Sequence, residues 1–242
     1  GEIDFSNNLY YAFYPYDSQS LLYHDQARLT FFQPSVQTYR KDSFNANAMP
    51  MVARAYIRDV FEFQSLCGVL AINLTGSEMV KSVSFSGYDI DGNPIPVAGK
   101  FEVYMDYGEY PEMTPAIDLM TGNTSKTLSS VTLDCGDGVA LDPAVPTAFY
   151  VVLPVGTYNT FTITVNTTDE RIMLKKGTNP LNIRRANVTK AGSLVFVEDV
   201  AFDLSEHGTA NSYIVSNSGT YSILAVKGNS SESVGSVASA EV

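Results

Sequence analysis

Tryptophan is absent from the chain, cysteine and histidine occur twice each, and basic residues are scarce. Lys and Arg number 15 against 26 Asp and Glu, a net charge of −11. Phosphate backbones require clustered cations, so nucleic acid is excluded as a partner. Triad or Cys-His chemistry needs a positioned imidazole, and only His24 and His207 are offered. His24 sits between Tyr23 and Asp25 in a polar loop, and His207 in the turn-like Ser-Glu-His-Gly-Thr stretch from Ser205. Both read as surface residues, and no G-x-S-x-G elbow accompanies either. Cys67 and Cys135 lack any CxxC-type metal spacing. Two readings of them stay open: a bridge in an exported protein, or two buried thiols acting as small apolar residues. No segment approaches the roughly 20 apolar residues that cross a bilayer as a helix. No signal peptide is visible; Gly1 reads as an end left by processing or cloning, with any export address removed. The last residues, ending at Val242, read as an interrupted strand, and the natural protein is expected to continue.

Apolar residues make up 45% of the chain and charged ones 17%, enough to bury a substantial core. Their spacing is that of strands. In Thr160–Val165 the apolar side chains fall on one face and threonines on the other, and Ser82–Ser86 does the same with serines. Leu70, Ile72 and Leu74 alternate with Ala71 and Asn73, and Leu194 and Phe196 oppose Val195 and Val197. Each reads as a strand with one face on a core and one in water. Turn chemistry at Asp91-Gly92-Asn93-Pro94, Pro154-Val155-Gly156, Asn166 to Glu170 and Ser216 to Gly219 separates the runs. The pattern predicts an all-β antiparallel sandwich. Helix signals are weak, a turn or two at Ser18 to Arg28 and at Ile183 to Lys190. The expected organisation is a sandwich domain over 1–198, then 199–242 as a hairpin and the start of a second module or a linker.

Residues that suggest chemistry have plainer explanations. Asp89-Ile90-Asp91-Gly92-Asn93 lacks the ligand series and terminal Glu of an EF-hand, and a hairpin turn explains it better. Asp134, Asp137 and Asp142 read as strand-end loop residues rather than a cation site. Any two of the 26 acids might be paired by a fold for glycoside hydrolysis, but the usual Trp platform of sugar sites is missing. Tyr10, Tyr11, Tyr14 and Tyr16 crowd the N-terminus, and Tyr104, Tyr107 and Tyr110 form a second group. Strand packing is the preferred reading of both, with a carbohydrate platform as the alternative. Asn-x-Ser/Thr triplets at Asn73, Asn123, Asn166, Asn187 and Asn229 follow from composition and carry no functional weight. No catalytic, cofactor-binding or metal-binding residue is assigned, no cofactor is expected, and the chain reads as a non-enzyme.

Four stretches resemble the fimbrillin family of Bacteroidales pilus and adhesin subunits. They are Tyr10 to Asp17; Gln37-Thr38-Tyr39 with Ser43-Phe44 and Met49 to Ala53; Phe63 to Gly76 with Val80 to Val83; and Phe149 to Tyr158 with Phe161 to Val165. Together they cover most of 10–198, in the family's order. The stretch from Leu204 to Asn229 is similar to one that often follows such domains. The resemblance implies a transthyretin-like Greek-key sandwich, lipoprotein export and display on the outer membrane. It also implies polymerisation by strand exchange, in which a neighbour's terminal strand fills a groove opened by proteolysis. The chain departs from the family at its start, where only Gly1 to Asn8 precede the Tyr-rich segment. No maturation arginine is carried over among Arg28, Arg40, Arg54 and Arg58.

The expectation is therefore a cell-surface structural or adhesion subunit, partnered by other pilus subunits or outer-membrane surface proteins, with host glycan or protein as further partners. The alternative is an accessory surface lipoprotein that binds glycan or peptide for an outer-membrane uptake system. Under the first reading a sheet edge should stand open, with the strand at Tyr10 to Tyr14 and the tail at Val234 to Val242 as donor or acceptor.

Overall fold

Alternating side chains need a second apolar layer to bury their inner face, and the fold provides one twice. The computed structural model describes residues 9–18, 20–23, 27–56, 60–105, 116–119 and 127–197, all within the unit Gly1–Val200. In chain order the strands are β1 (Leu9–Tyr14), β2 (Leu21–Tyr23), β3 (Arg28–Gln33), β4 (Val36–Thr38), β5 (Met51–Tyr56), β6 (Gln64–Ser65), β7 (Cys67–Thr75), β8 (Met79–Tyr88), β9 (Pro94–Ile95) and β10 (Ala98–Tyr104). They continue as β11 (Ala116–Leu119), β12 (Thr127–Leu128), β13 (Ser130–Ala140), β14 (Thr147–Pro154), β15 (Gly156–Tyr158), β16 (Thr160–Thr167), β17 (Ile172–Gly177), β18 (Leu181–Ile183) and β19 (Val188–Val195). The fold is all-β and sandwich-like. Among the described residues its helix is a single three-residue 3-10 turn, Ala46–Ala48.

Two cores result, and the chain moves between them. In the first, the sheet β1-β5-β6 faces the sheet β11-β10-β3-β2. Leu29, Phe31, Val52, Leu66, Phe101, Val103 and Met105 are buried there, with Tyr11 and Phe13 packed against them. In the second, β17-β16-β8-β13-β4 faces β14-β7-β19. Phe85 lies at its centre, stacked on Phe161 at 5.9 Å and edge-on to Tyr158 at 5.5 Å. Val83, Phe85, Phe161, Ile163 and Val165 all lie in this core, as alternation predicts. Ser84, Thr162 and Thr164 take the opposite face, half-buried, where Ser84 shares a hydroxyl hydrogen bond of 2.8 Å with Thr132 across the ladder.

The structure corrects two expectations. Strand β7 is not half in water: Cys67 to Ile72 are buried on both faces. Leu70, Ile72 and Leu74 enter the second core, while Cys67 and Val69 pack on Ala48, Met49 and Val152 in a third cluster behind the sheet. The 3-10 turn and the start of β5 thus cover a face that alternation alone would leave to solvent. The helical turn expected at Ile183 to Lys190 does not form, and the described residues of Ser18 to Arg28 hold a strand at Leu21–Tyr23 rather than a helix. Leu21–Tyr23 pairs with β3 and Leu181–Ile183 with β15, because ladder partners outweigh weak local helix propensity. Ala186, at φ 50°, turns the chain between β18 and β19.

One polar side chain closes an edge. Gln37 on β4 is fully buried; its Nε2 donates to the Val152 carbonyl at 2.8 Å and its Oε1 accepts from the Val152 N–H at 2.9 Å. A side-chain amide thus stands in for a strand partner at the outer edge of β14, joining the edges of the two sheets. The opposite member of that sheet, β19, lies parallel to β7 and has no strand on its outer side among the described residues. The expected hairpin and tail in 199–242 lie outside the described residues.

Candidate functional site

A concavity sits where the end of β1, the end of β3 and the 3-10 turn converge. It is a cleft of about 670 Å³, within the size range of small-ligand sites. Its walls follow from local chemistry. After Tyr14, a cis Tyr14–Pro15 peptide turns the chain out of β1, and the Ser20 N–H closes a turn on the Asp17 carbonyl at 3.0 Å. Gln33-Pro34-Ser35 carries the chain out of β3. The buried Gln33 amide donates to the Ala48 carbonyl at 2.9 Å and so fixes the 3-10 turn against the strand. Asn45 caps that turn, its side chain accepting from the Asn47 N–H at 3.1 Å. Gly99, at φ 100°, holds a backbone conformation that side chains disfavour, and it lies opposite Gln33 in the ladder.

The lining mixes aromatic faces with neutral polar groups. Phe13 and Phe32 are half-buried, whereas Tyr16 stands 88% exposed beside Pro15. Asn45, Asn47, Ser20, Ser35 and Gln33 supply amides and hydroxyls, and Asp17 is the one carboxylate in the lining among the described residues. The Ser20 hydroxyl is buried with no hydrogen-bond partner among the described residues. Pro15, Pro34 and Pro50 all border the space.

The residues singled out from the sequence do not gather at one place. Of the tyrosines, Tyr16 lines the cleft; Tyr10 and Tyr11 lie in β1 and are half-buried, and Tyr104 ends β10. Tyr107, Tyr110, His24 and His207 lie outside the described residues. Asp89 is a turn residue: it accepts from the Asp91 N–H at 2.9 Å, the Asn93 N–H at 2.8 Å and the Asn93 amide at 3.0 Å. These bonds, the Asn93 side chain foremost, hold its carboxyl below the usual range. Asp134 accepts from the Gly136 N–H, and Asp142 from those of Ala144 and Val145. Among the described residues no three His, Cys, Asp or Glu converge as a metal site would require. Cys67 and Cys135 are free and buried, and desolvation pushes each thiol up to about 12.

Sequence reasoning missed Asn45, Asn47, Phe32 and Pro34. Their signal was faint: three prolines and an Asn-Ala-Asn turn, scattered over 36 residues from Pro15 to Pro50 and joined only by the fold. No helix among the described residues is long and apolar enough to cross a membrane. No protein-family model matches the sequence, and no curated protein does.

Proposed function

We propose that this chain is a fimbrillin-like structural and adhesion subunit, non-enzymatic and displayed at the outer membrane of its cell. In this reading its sheets follow a transthyretin-like Greek key and it joins other subunits by strand addition. The carrying observation is the contrast between the two edges of the sheet β14-β7-β19. Gln37 occupies the edge of β14 at Val152, whereas β19 has no strand outside it among the described residues. Asn187 accepts from the Val69 N–H and Phe196 donates to the Thr75 carbonyl, each at 2.9 Å, so those groups turn toward β7. Alternation then turns the Val195 N–H outward, and the Val188 and Val195 side chains are 50% and 67% exposed. An added strand would gain main-chain hydrogen bonds along this edge and cover those valines.

The test is a peptide copying residues 234–242, added to the whole chain, with a scrambled peptide as control. Strand addition raises the melting temperature with the authentic sequence alone, by linkage to the folded state. Val195→Pro removes one outward N–H from an edge where proline is tolerated, and it should abolish that rise while leaving the unliganded melting temperature nearly unchanged. No rise with either peptide would put the accessory surface-lipoprotein reading first, which the cleft beside Tyr16 favours.

A further inference from the structure

We propose that the cleft bordered by Tyr16, Phe32 and Asn47 is a binding site for an uncharged oligosaccharide. An anionic ligand, whether nucleotide, phosphate or acidic sugar, would need cations, and among the described residues the lining has no Lys or Arg but does have Asp17. A purely apolar ligand would strand the amides of Asn45 and Asn47 against it and forfeit their hydration. An extended peptide recognised by strand pairing needs backbone N–H groups at the rim, and Pro15, Pro34 and Pro50 have none to offer.

A neutral sugar chain meets each feature instead. One face of a pyranose ring is a sheet of C–H groups that packs on an aromatic surface, and Tyr16, 88% exposed, presents such a surface at the rim. The ring hydroxyls both donate and accept, matching side-chain amides and hydroxyls. Ser20 is the sharpest of these: it lines the same space, and its buried hydroxyl has no partner among the described residues. The walls are already set: Gln33 ties the 3-10 turn to β3 at 2.9 Å, and Asn45 holds Asn47 in place at 3.1 Å. Little ordering is therefore left to be done on binding. The site is separate from the β19 edge, so it stands or falls independently of assembly by strand addition.

The experiment is titration of the whole chain with a panel of soluble uncharged oligosaccharides, gluco-, manno-, galacto- and N-acetylglucosamine-oligomers, followed by chemical-shift or calorimetric change. At least one member should bind. Tyr16→Ala should weaken that binding by about tenfold or more, on the scale of one lost aromatic contact, and Asn47→Ala by a smaller factor. Tyr104→Ala, an exposed aromatic outside the cleft, should leave binding unchanged, and all three should keep the parent melting temperature. The proposal is overturned if no uncharged oligosaccharide binds at millimolar concentration. It is equally overturned if Tyr104→Ala weakens binding as much as Tyr16→Ala does.

Discussion

The two cores of this chain differ in how they treat aromatic residues. Around the core centred on Phe85 the aromatics point inward: Phe149, Tyr158 and Phe161 are all buried with it. What that region leaves exposed is aliphatic, such as Ile172, Leu174, Val188 and Val195. Around the core centred on Phe31 and Phe101, Tyr14, Tyr16, Tyr56, Phe61, Phe63 and Tyr104 all keep 39% or more of their surface in solvent. Solvent-facing aromatics contribute little to folding and much to contact, because they offer large, rigid area at low entropic cost. The difference assigns stability chiefly to the Phe85 core and leaves the exposed aromatic surface chiefly on the Phe31 region, where the cleft lies.

Truncation at the two ring centres tests that division most severely. Phe85→Ala removes a fully buried ring from between two sheets and should cost about 3–5 kcal/mol. Phe101→Ala should cost less globally, at the lower end of that range, and should open β3 and β10 before the rest unfolds. Urea unfolding with site-resolved hydrogen exchange checks both. Equal losses, with uniform exchange, would break the comparison.

Gln37 comes next. Gln37→Leu keeps the volume but leaves the Val152 N–H and C=O buried without partners, at a cost of roughly 2–4 kcal/mol. A loss of under about 1 kcal/mol, within the usual net worth of one hydrogen bond, would show that water or another group serves that edge equally well.

The third effect is smaller and depends on pH. Cys67, behind the sheet, ionises only near 12 in the folded chain against 9.0 in the open chain, because burial disfavours the thiolate. Its folded pKa is raised, so the stability this confers is complete below pH 9 and is lost as pH climbs toward 12. The unfolded chain loses its proton first across that window, at about 1.4 kcal/mol per pH unit. Cys67→Ala should flatten the alkaline limb of the stability profile. The thiol should also resist alkylation until the chain opens.

How much of this was legible depends on the range of the interaction. Alternation in 160–165 and 82–86 reported the faces of β16 and β8 correctly, because one strand's pattern records one core. The burial of β7 on both faces was also written locally, in the unbroken apolar run Cys67 to Ile72, which is the signature of a strand covered on both sides. Reading only Leu70, Ile72 and Leu74 missed it. The role of Gln37 was not legible: its partner, Val152, is 115 residues away, and nothing near Gln37 distinguishes a buried amide from an exposed one. Division of the strands between two cores was hidden for the same reason, since β4 leaves its sequence neighbours to pair in parallel with β13. The cleft draws on segments as far apart as Phe13 and Leu128, so of its three aromatic members among the described residues only Tyr16 had been singled out.

The most direct test of strand addition is amide exchange along β19 in the whole chain, with and without a saturating terminal-strand peptide. The outward amide of Val195 should slow by about tenfold or more on binding. The Phe196 amide, already donating to Thr75, should change far less. Protection that appears along β14, or nowhere, would contradict the account.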